Sequence, residues 1–242
     1  MYIDIHSHVI WGVDDGAETE EETREMLRAA VEDQIDTIIL TPHITPGVVP
    51  FPQERFERHL EKAKEIIQEE ALELTLFTGG EILYTEHTPR MLREGKIPTM
   101  AGSDYVLIEF DPGESATNIL ESLRKVASTG KTPILAHVER YHNLHTLKQI
   151  QDIKSSCRAK IQVNASTLLH KQPLLRRSYM EGIFKEKLVD LIATDTHSFR
   201  ASRMTQGLEA MAQRYGQEAV ERTQANGRRI LPSGKNSFDL GG

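Results

Sequence analysis

The chain has 242 residues, 38% hydrophobic and 27% charged, enough apolar material for one sizeable core and too much for wholesale disorder. Asp and Glu (36) outnumber Lys and Arg (29), and the net charge of -7 argues against general nucleic-acid binding, because no excess of cations is available to neutralise phosphates. The one cysteine, Cys157, excludes a disulfide scaffold or a cysteine zinc finger and fits a reducing compartment.

In chain order, the first expected strand is Tyr2–Ile5. Its approach has neither the basic nor the apolar region of a signal peptide. No apolar run anywhere nears the roughly 20 residues that span a bilayer, so the expectation is a cytoplasmic chain without membrane insertion. Thr19, with Glu22 three residues on, is a capping-box start for a helix striped by Leu27, Ala30 and Val31. A strand at Thr37–Leu40 precedes a helix opened by Pro52, with Phe56, Leu60, Ala63, Ile66 and Ile67 on one face. Strands at Leu74–Thr78 and Tyr105–Phe110 follow, then a helix marked by Ile119, Leu120, Leu123 and Val126 and stopped by Gly130. Strands at Thr132–Leu135, Lys160–Val163 and Val189–Ala193 alternate with helical spacings at Leu144, Leu147, Ile150 and Ile153, at Leu175, Tyr179 and Ile183, and over 204–215. Residues 1–232 read as one domain, and the polar, Gly-rich 233–242 as a loosely ordered tail.

These strands are apolar nearly throughout, which suits a parallel sheet covered on both faces. Strand followed by helix, repeated, predicts a βα barrel or an open doubly wound sheet. A parallel barrel places its site at the C-terminal ends of its strands. Those ends carry His6, His8 and Asp15, then His43, Glu81, Glu109 and His137, then Asn164, and finally Asp195 and His197. A single strand-end histidine is commonly a hydrogen-bonded structural residue, and Asp15 or Glu109 alone could cap a helix. Structural residues have no reason to collect at one end of successive strands. Imidazole and carboxylate together suit Zn²⁺, Mn²⁺ or Fe²⁺, and nine such donors would serve two or three ions. His59, His87, His142, His145 and His170 fall outside the pattern and read as solvated surface residues.

Ordered along residues 3 to 205, the segments His6-x-His8, Gly12-Val13-Asp14-Asp15-Gly16, Thr41-Pro42-His43, Gly80-Glu81, Leu107-Ile108-Glu109-Phe110, Ala136-His137-Val138-Glu139-Arg140-Tyr141, Gln162-Val163-Asn164-Ala165-Ser166 and Asp195-x-His197 resemble the PHP (polymerase and histidinol phosphatase) superfamily. Within it the chain is most similar to the manganese-dependent bacterial protein-tyrosine phosphatases of capsular and exopolysaccharide loci, the CpsB/YwqE type. The resemblance implies a distorted (β/α)7 barrel with a trinuclear centre held by His6, His8, Asp15, His43, Glu81, Glu109, His137, Asp195 and His197, with Glu81 bridging and Arg140 on the substrate phosphate. Mn²⁺ is the implied ion, two or three per chain, with Fe²⁺, Zn²⁺, Co²⁺ and Mg²⁺ compatible with the same donors. The family's second arginine sits in an H-N-x-x-G-R-P-P loop that this chain lacks; Arg200 or Arg203 would take its place, Arg200 being the first choice.

The expected reaction is phosphomonoester hydrolysis by a water between metal ions, with Arg140 on the nonbridging oxygens and either His43 or a metal-bound water available to protonate the leaving group. A cysteine phosphatase needs Arg six residues after its Cys, and that position after Cys157 is Val163; no P-loop occurs either. The implied substrate is the phosphotyrosine tail of a cognate bacterial tyrosine autokinase. Alternatives are a small-molecule phosphatase such as one for histidinol phosphate, a PHP phosphodiesterase disfavoured by the acidic charge, and a catalytically inert metal-binding module.

Overall fold

The computed structural model describes residues 1–198 and 202–232; the expectations for Arg200 and for the 233–242 tail lie outside them. The chain runs β1 (Tyr2–Ser7), α1 (Glu20–Glu32), β2 (Ile35–Leu40), β3 (His43–Ile44), α2 (Gln53–Glu69), β4 (Thr75–Thr78), β5 (Glu81–Leu83) and α3 (Thr88–Arg93). It continues with β6 (Tyr105–Glu109), α4 (Ala116–Ala127), β7 (Thr132–Leu135), α5 (Leu147–Cys157), β8 (Lys160–Asn164), α6 (Leu174–Lys185), β9 (Leu191–Ala193), α7 (Met204–Tyr215) and α8 (Gln217–Arg228).

Every strand pairing is parallel, in the orders β1-β2-β4 and β3-β5-β6-β7-β8-β9. The two sheets are one surface, because two staves are each broken in mid-course. Thr41-Pro42 separates β2 from β3, where proline has no N–H to give the ladder. Gly79-Gly80 separates β4 from β5, and a Cβ on Gly80 would stand 2.7 Å from the Ile44 side chain. Counting each broken pair as one stave leaves seven. Ser7 bridges Thr196 in parallel, and the His8 N–H donates to the Thr196 carbonyl at 3.0 Å, so the last stave returns to the first at the C-terminal rim. The result is a distorted (β/α)7 barrel.

Its interior is filled by Ile3, Ile5, Ile39, Phe77, Leu107, Ile134, Leu191 and Ala193, with Met100 and Ile230 in the same cluster. A larger cluster fills the layer between staves and helices, where Leu27, Ile66, Ile119, Leu123, Ile150 and Ile183 from the helices meet Ile38, Ile82 and Val106 from the strands. This double burial explains why the strands read as nearly continuous apolar runs.

Local signals act as expected at several ends. The Thr19 hydroxyl accepts from the Glu22 N–H at 3.2 Å, although the Glu22 carboxylate takes the N–H of Glu18 rather than that of Thr19. Three readings need correction. Gly130 lies beyond the end of α4, whose cap is Ser128. Leu144 precedes α5, which opens on a capping box between Thr146 and Gln149. Helix α8 went unread, although Val220, Thr223 and Gly227 are buried at helical spacing. No helix among the described residues is long and apolar enough to cross a membrane.

Candidate metal centre

At the C-terminal rim the staves deliver their polar ends to one place. A register shift between Asp4 and Ser7 falls where β1 passes from Ile3 and Ile5 to His6 and His8. A shifted register exchanges the faces of a strand. The two rings converge, with Nε2 atoms 3.2 Å apart. Glu81, at the head of β5, lies between them and the next stave: its Oε2 is 2.9 Å from His6 Nε2, 3.2 Å from His8 Nε2 and 3.3 Å from His43 Nδ1. Its Oε1 is 2.7 Å from His137 Nε2. Glu109, at the end of β6, meets His43 Nδ1 at 3.0 Å. From the solvent side Asp15 lies 3.3 Å from both His43 Nε2 and His197 Nε2. Asp195 Oδ1 stands 3.6 Å from His6 and His8 Nε2.

Three overlapping donor sets emerge: His8, Asp15, His43 and His197; His6, His8, Glu81 and Asp195; His43, Glu81 and Glu109. Within each, one donor atom per residue lies within 4.8 Å of all the others. Donors at roughly 2.1 Å from a shared ion and at right angles to each other stand about 3 Å apart, which the 2.9–3.3 Å separations of Glu81 from His6, His8 and His43 and of Asp15 from His43 and His197 approach. His137 joins through Glu81 and lies 3.7 Å from Glu109.

The supporting residues are as specific as the donors. Asp14 Oδ2 is 2.7 Å from His8 Nδ1 and also accepts from the His43 N–H, while Oδ1 accepts from the Gly16 N–H. A carboxylate can only accept here, so His8 keeps its proton on Nδ1 and turns Nε2 to the cluster. Gly16 is required by close approach, since a Cβ there would fall 2.1 Å from the His8 carbonyl oxygen. A relay crosses β8: the His137 N–H donates to Gln162 Oε1 at 2.5 Å, Gln162 Nε2 to Asn164 Oδ1 at 2.7 Å, and Asn164 Nδ2 to Asp195 Oδ2 at 2.8 Å. It ties two donors on non-adjacent staves, His137 (φ 29°) and Asp195 (φ 53°), both held in the left-handed region that side chains disfavour. Sequence reading assigned no role to Asp14, Gln162 or Asn164. The doubled aspartate before Gly16 was the available signal for the first.

Burial and charge oppose each other throughout. Desolvation disfavours the charged ring of His8, but Asp14 and Glu81 outweigh it and hold its pKa at about 9. His43 is likewise raised to about 9, with Glu109, Glu81 and Asp15 overcoming burial. Burial alone would raise Glu81, yet His6 and His137 keep it well below the ordinary carboxylate range. His197 is lowered by burial and by neighbouring His8. The cluster therefore holds ionised carboxylates against rings, the charge pattern a cation can take over.

Arg140 ends a 3-10 turn (Val138–Arg140) that follows His137, and its Nη2 pairs with Asp195 Oδ2 while the side chain stays 35% exposed. Arg203 is exposed at the start of α7 and bonds Gln206 at 3.2 Å; among the described residues no contact joins it to the cluster. Of the histidines read as surface residues, His87, His142, His145 and His170 are exposed. His59 is half-buried instead, stacked on Trp11 with centroids 3.9 Å apart and Nδ1 2.8 Å from the Trp11 carbonyl. It braces the loop that carries Asp14 and Asp15.

Comparison with known proteins completes the picture. The family model "Capsular polysaccharide synthesis, CpsB/CapC" matches residues 2–232. The tyrosine-protein phosphatase CpsB of Streptococcus pneumoniae is 31% identical over 237 residues, covering 95% of this chain and 98% of that one. A chain from the crystal structures of YwqE from Bacillus subtilis and CpsB from Streptococcus pneumoniae, described as unique metal-dependent tyrosine phosphatases, superposes with a TM-score of 0.84 at 24% identity, over 95% of this chain and 94% of that chain. Histidinol phosphate phosphatase from Lactococcus lactis shares the fold more distantly, with a TM-score of 0.60 at 12% identity and coverage of 90% and 93%.

Proposed function

The chain belongs to the CpsB/CapC family of capsular polysaccharide synthesis, and from that premise we propose that His6, His8, Asp15, His43, Glu81, Glu109, His137, Asp195 and His197 hold two or three Mn²⁺ ions that act on a phosphotyrosine-bearing protein. The activity is that of a metal-dependent tyrosine-protein phosphatase, a phosphoric monoester hydrolase. The observation that supports the ligand assignment most is the overlap of three donor sets on His8, His43 and Glu81. Bound there, divalent cations supply Lewis-acid charge to phosphoryl oxygens and lower the pKa of water towards neutrality.

The protein's own groups do the rest. Arg140 offers a guanidinium fork from the rim, suited to two oxygens of a phosphate. The departing tyrosinate has a pKa near ~10 and needs little help from a proton donor, so His43, 33% exposed, can serve as a ligand without also acting as the acid. A substrate tail from a bacterial tyrosine autokinase in the cytoplasm fits a rim where Asp15 and Arg140 face solvent.

The decisive experiment measures metal content and turnover of a phosphotyrosine peptide beside histidinol phosphate and bis-p-nitrophenyl phosphate. Two or more ions per chain and preference for the peptide are expected. Fewer than two ions, or faster turnover of histidinol phosphate, overturns the reading.

Metal uptake should also release protons. His8 and His43 are protonated below their pKa values of about 9, and a cation takes only the neutral ring. At neutral pH two or more protons should leave, because His6 is raised as well, and Mn²⁺ affinity should fall as pH drops from about 9. Calorimetry in buffers of different ionisation enthalpy measures the release, and a value near zero removes these rings from the ligand set.

A further inference from the structure

Two grooves run outward from the barrel mouth with opposite charge. One, of about 380 Å³, opens beside Leu83 and Phe110, just past the staves that end in Glu81 and Glu109. Its walls carry Glu86, Asp111, Glu114 and Glu121 against a single cation, Lys125, which is already 3.2 Å from Glu86. The other, of about 640 Å³, lies between α6 and α7 under the loop that follows β8. Four cations line it, Lys171, Arg177, Lys185 and Arg214, against one carboxylate, Glu181. Glu181 is already engaged by Arg177 at 2.8 Å and Lys185 at 3.8 Å, whereas Lys171 and Arg214 make no ion pair among the described residues. The groove is apolar beneath: Leu168, Met180 and Phe184 are buried, and Phe184 stacks on Tyr215 with centroids 4.8 Å apart. A concentration of cations in a chain of net charge -7 does not follow from composition.

The basic groove begins at the catalytic rim. Thr167, which lines it, donates its hydroxyl to Glu139 at 3.0 Å, and Glu139 immediately precedes Arg140. A peptide whose phosphate lies at Arg140 can leave the mouth over Thr167 into cations, or the other way into carboxylates.

We propose that the basic groove between α6 and α7 is a docking surface for the acidic flank of the phosphotyrosine segment, and that the acidic groove on the opposite side keeps that flank from binding in reverse. This rests on the phosphatase reading above and adds the charge and direction of the substrate. Opposite potentials of this kind set orientation and raise effective substrate concentration, and they weaken with salt.

The test uses the Mn²⁺-loaded protein and two fluorescein-labelled phosphotyrosine peptides, one flanked by glutamates and one by alanines. The acidic peptide should show a KM about tenfold lower at low salt with the same kcat. Lys171→Glu and Arg214→Glu should each abolish most of that preference while leaving turnover of p-nitrophenyl phosphate, too small to reach the groove, within about twofold. The milder Lys171→Gln and Arg214→Gln substitutions serve if the reversals unfold. Equal KM for the two peptides, or a preference that survives in all four variants, overturns the proposal. Absence of p-nitrophenyl phosphate turnover in the loaded wild type is instead a failure of the phosphatase reading. In that event, anisotropy of the same labelled peptides decides the groove by itself: tighter binding of the acidic peptide, lost in the variants, supports it, and equal binding refutes it.

Discussion

Glu81→Gln is expected to lower turnover of a phosphotyrosine peptide by about 10³-fold, close to 4 kcal/mol of transition-state stabilisation, and to remove at least one ion per chain. Among the described residues no other donor lies within 3.3 Å of as many histidines. Its two oxygens reach His6, His8, His43 and His137 within 3.3 Å, and the side chain is 1% exposed. It belongs to two of the three donor sets. Glutamine preserves shape, so circular dichroism should report an unchanged fold, but it removes the negative charge and points an amide N–H₂ at ring nitrogens or at a cation. Without an ion, the His6, His8 and His43 rings, whose pKa values Glu81 helps to raise, would lose that partner. Elemental analysis and a phosphatase assay on the same preparation decide the matter. Full metal content with activity within tenfold of wild type would remove Glu81 from the bridging role.

The second large effect is expected at Arg140. Arg140→Ala should cut kcat/KM by about 10²- to 10³-fold, with the inhibition constant for inorganic phosphate weakened in parallel and metal content unchanged. Arg140→Lys should recover only a small part, since a point charge cannot make the paired contacts of a guanidinium fork. The side chain is 35% exposed at the mouth and anchored at one end by Asp195, which leaves the rest of the fork toward solvent and incoming phosphate. Metal content is the discriminating measurement. If ions are lost with activity, Arg140 serves by holding Asp195 in place, not by holding the substrate.

Residues within one element were legible because their message is local. His6-x-His8 and Asp195-x-His197 flank predicted strands, and the Thr19–Glu22 signal needs only a helix start. The strand-end rule then converts topology into a site without any distances, which is why the expected donors could be named and the structure brings them all to one rim. The supporting shell was not legible. Gln162 and Asn164 matter because two amides, alternating donor and acceptor, span the gap between staves β7 and β9. No spacing in the sequence encodes that gap. The same holds for His59, read as a surface residue, whose partner Trp11 lies on a different element.

By itself, then, the sequence determined the parallel strand-helix order and named the imidazoles and carboxylates that meet at one rim, because these depend on side-chain type and on periodicity along the chain. Only the tertiary structure decided which donors come within reach of one another, which of their neighbours orient them, and how charge is divided across the mouth. An acidic total of -7 conceals a basic groove on one side and an acidic one on the other. Net charge sums over the chain, whereas a substrate meets only the few charges that folding gathers within a Debye length of it, about 10 Å.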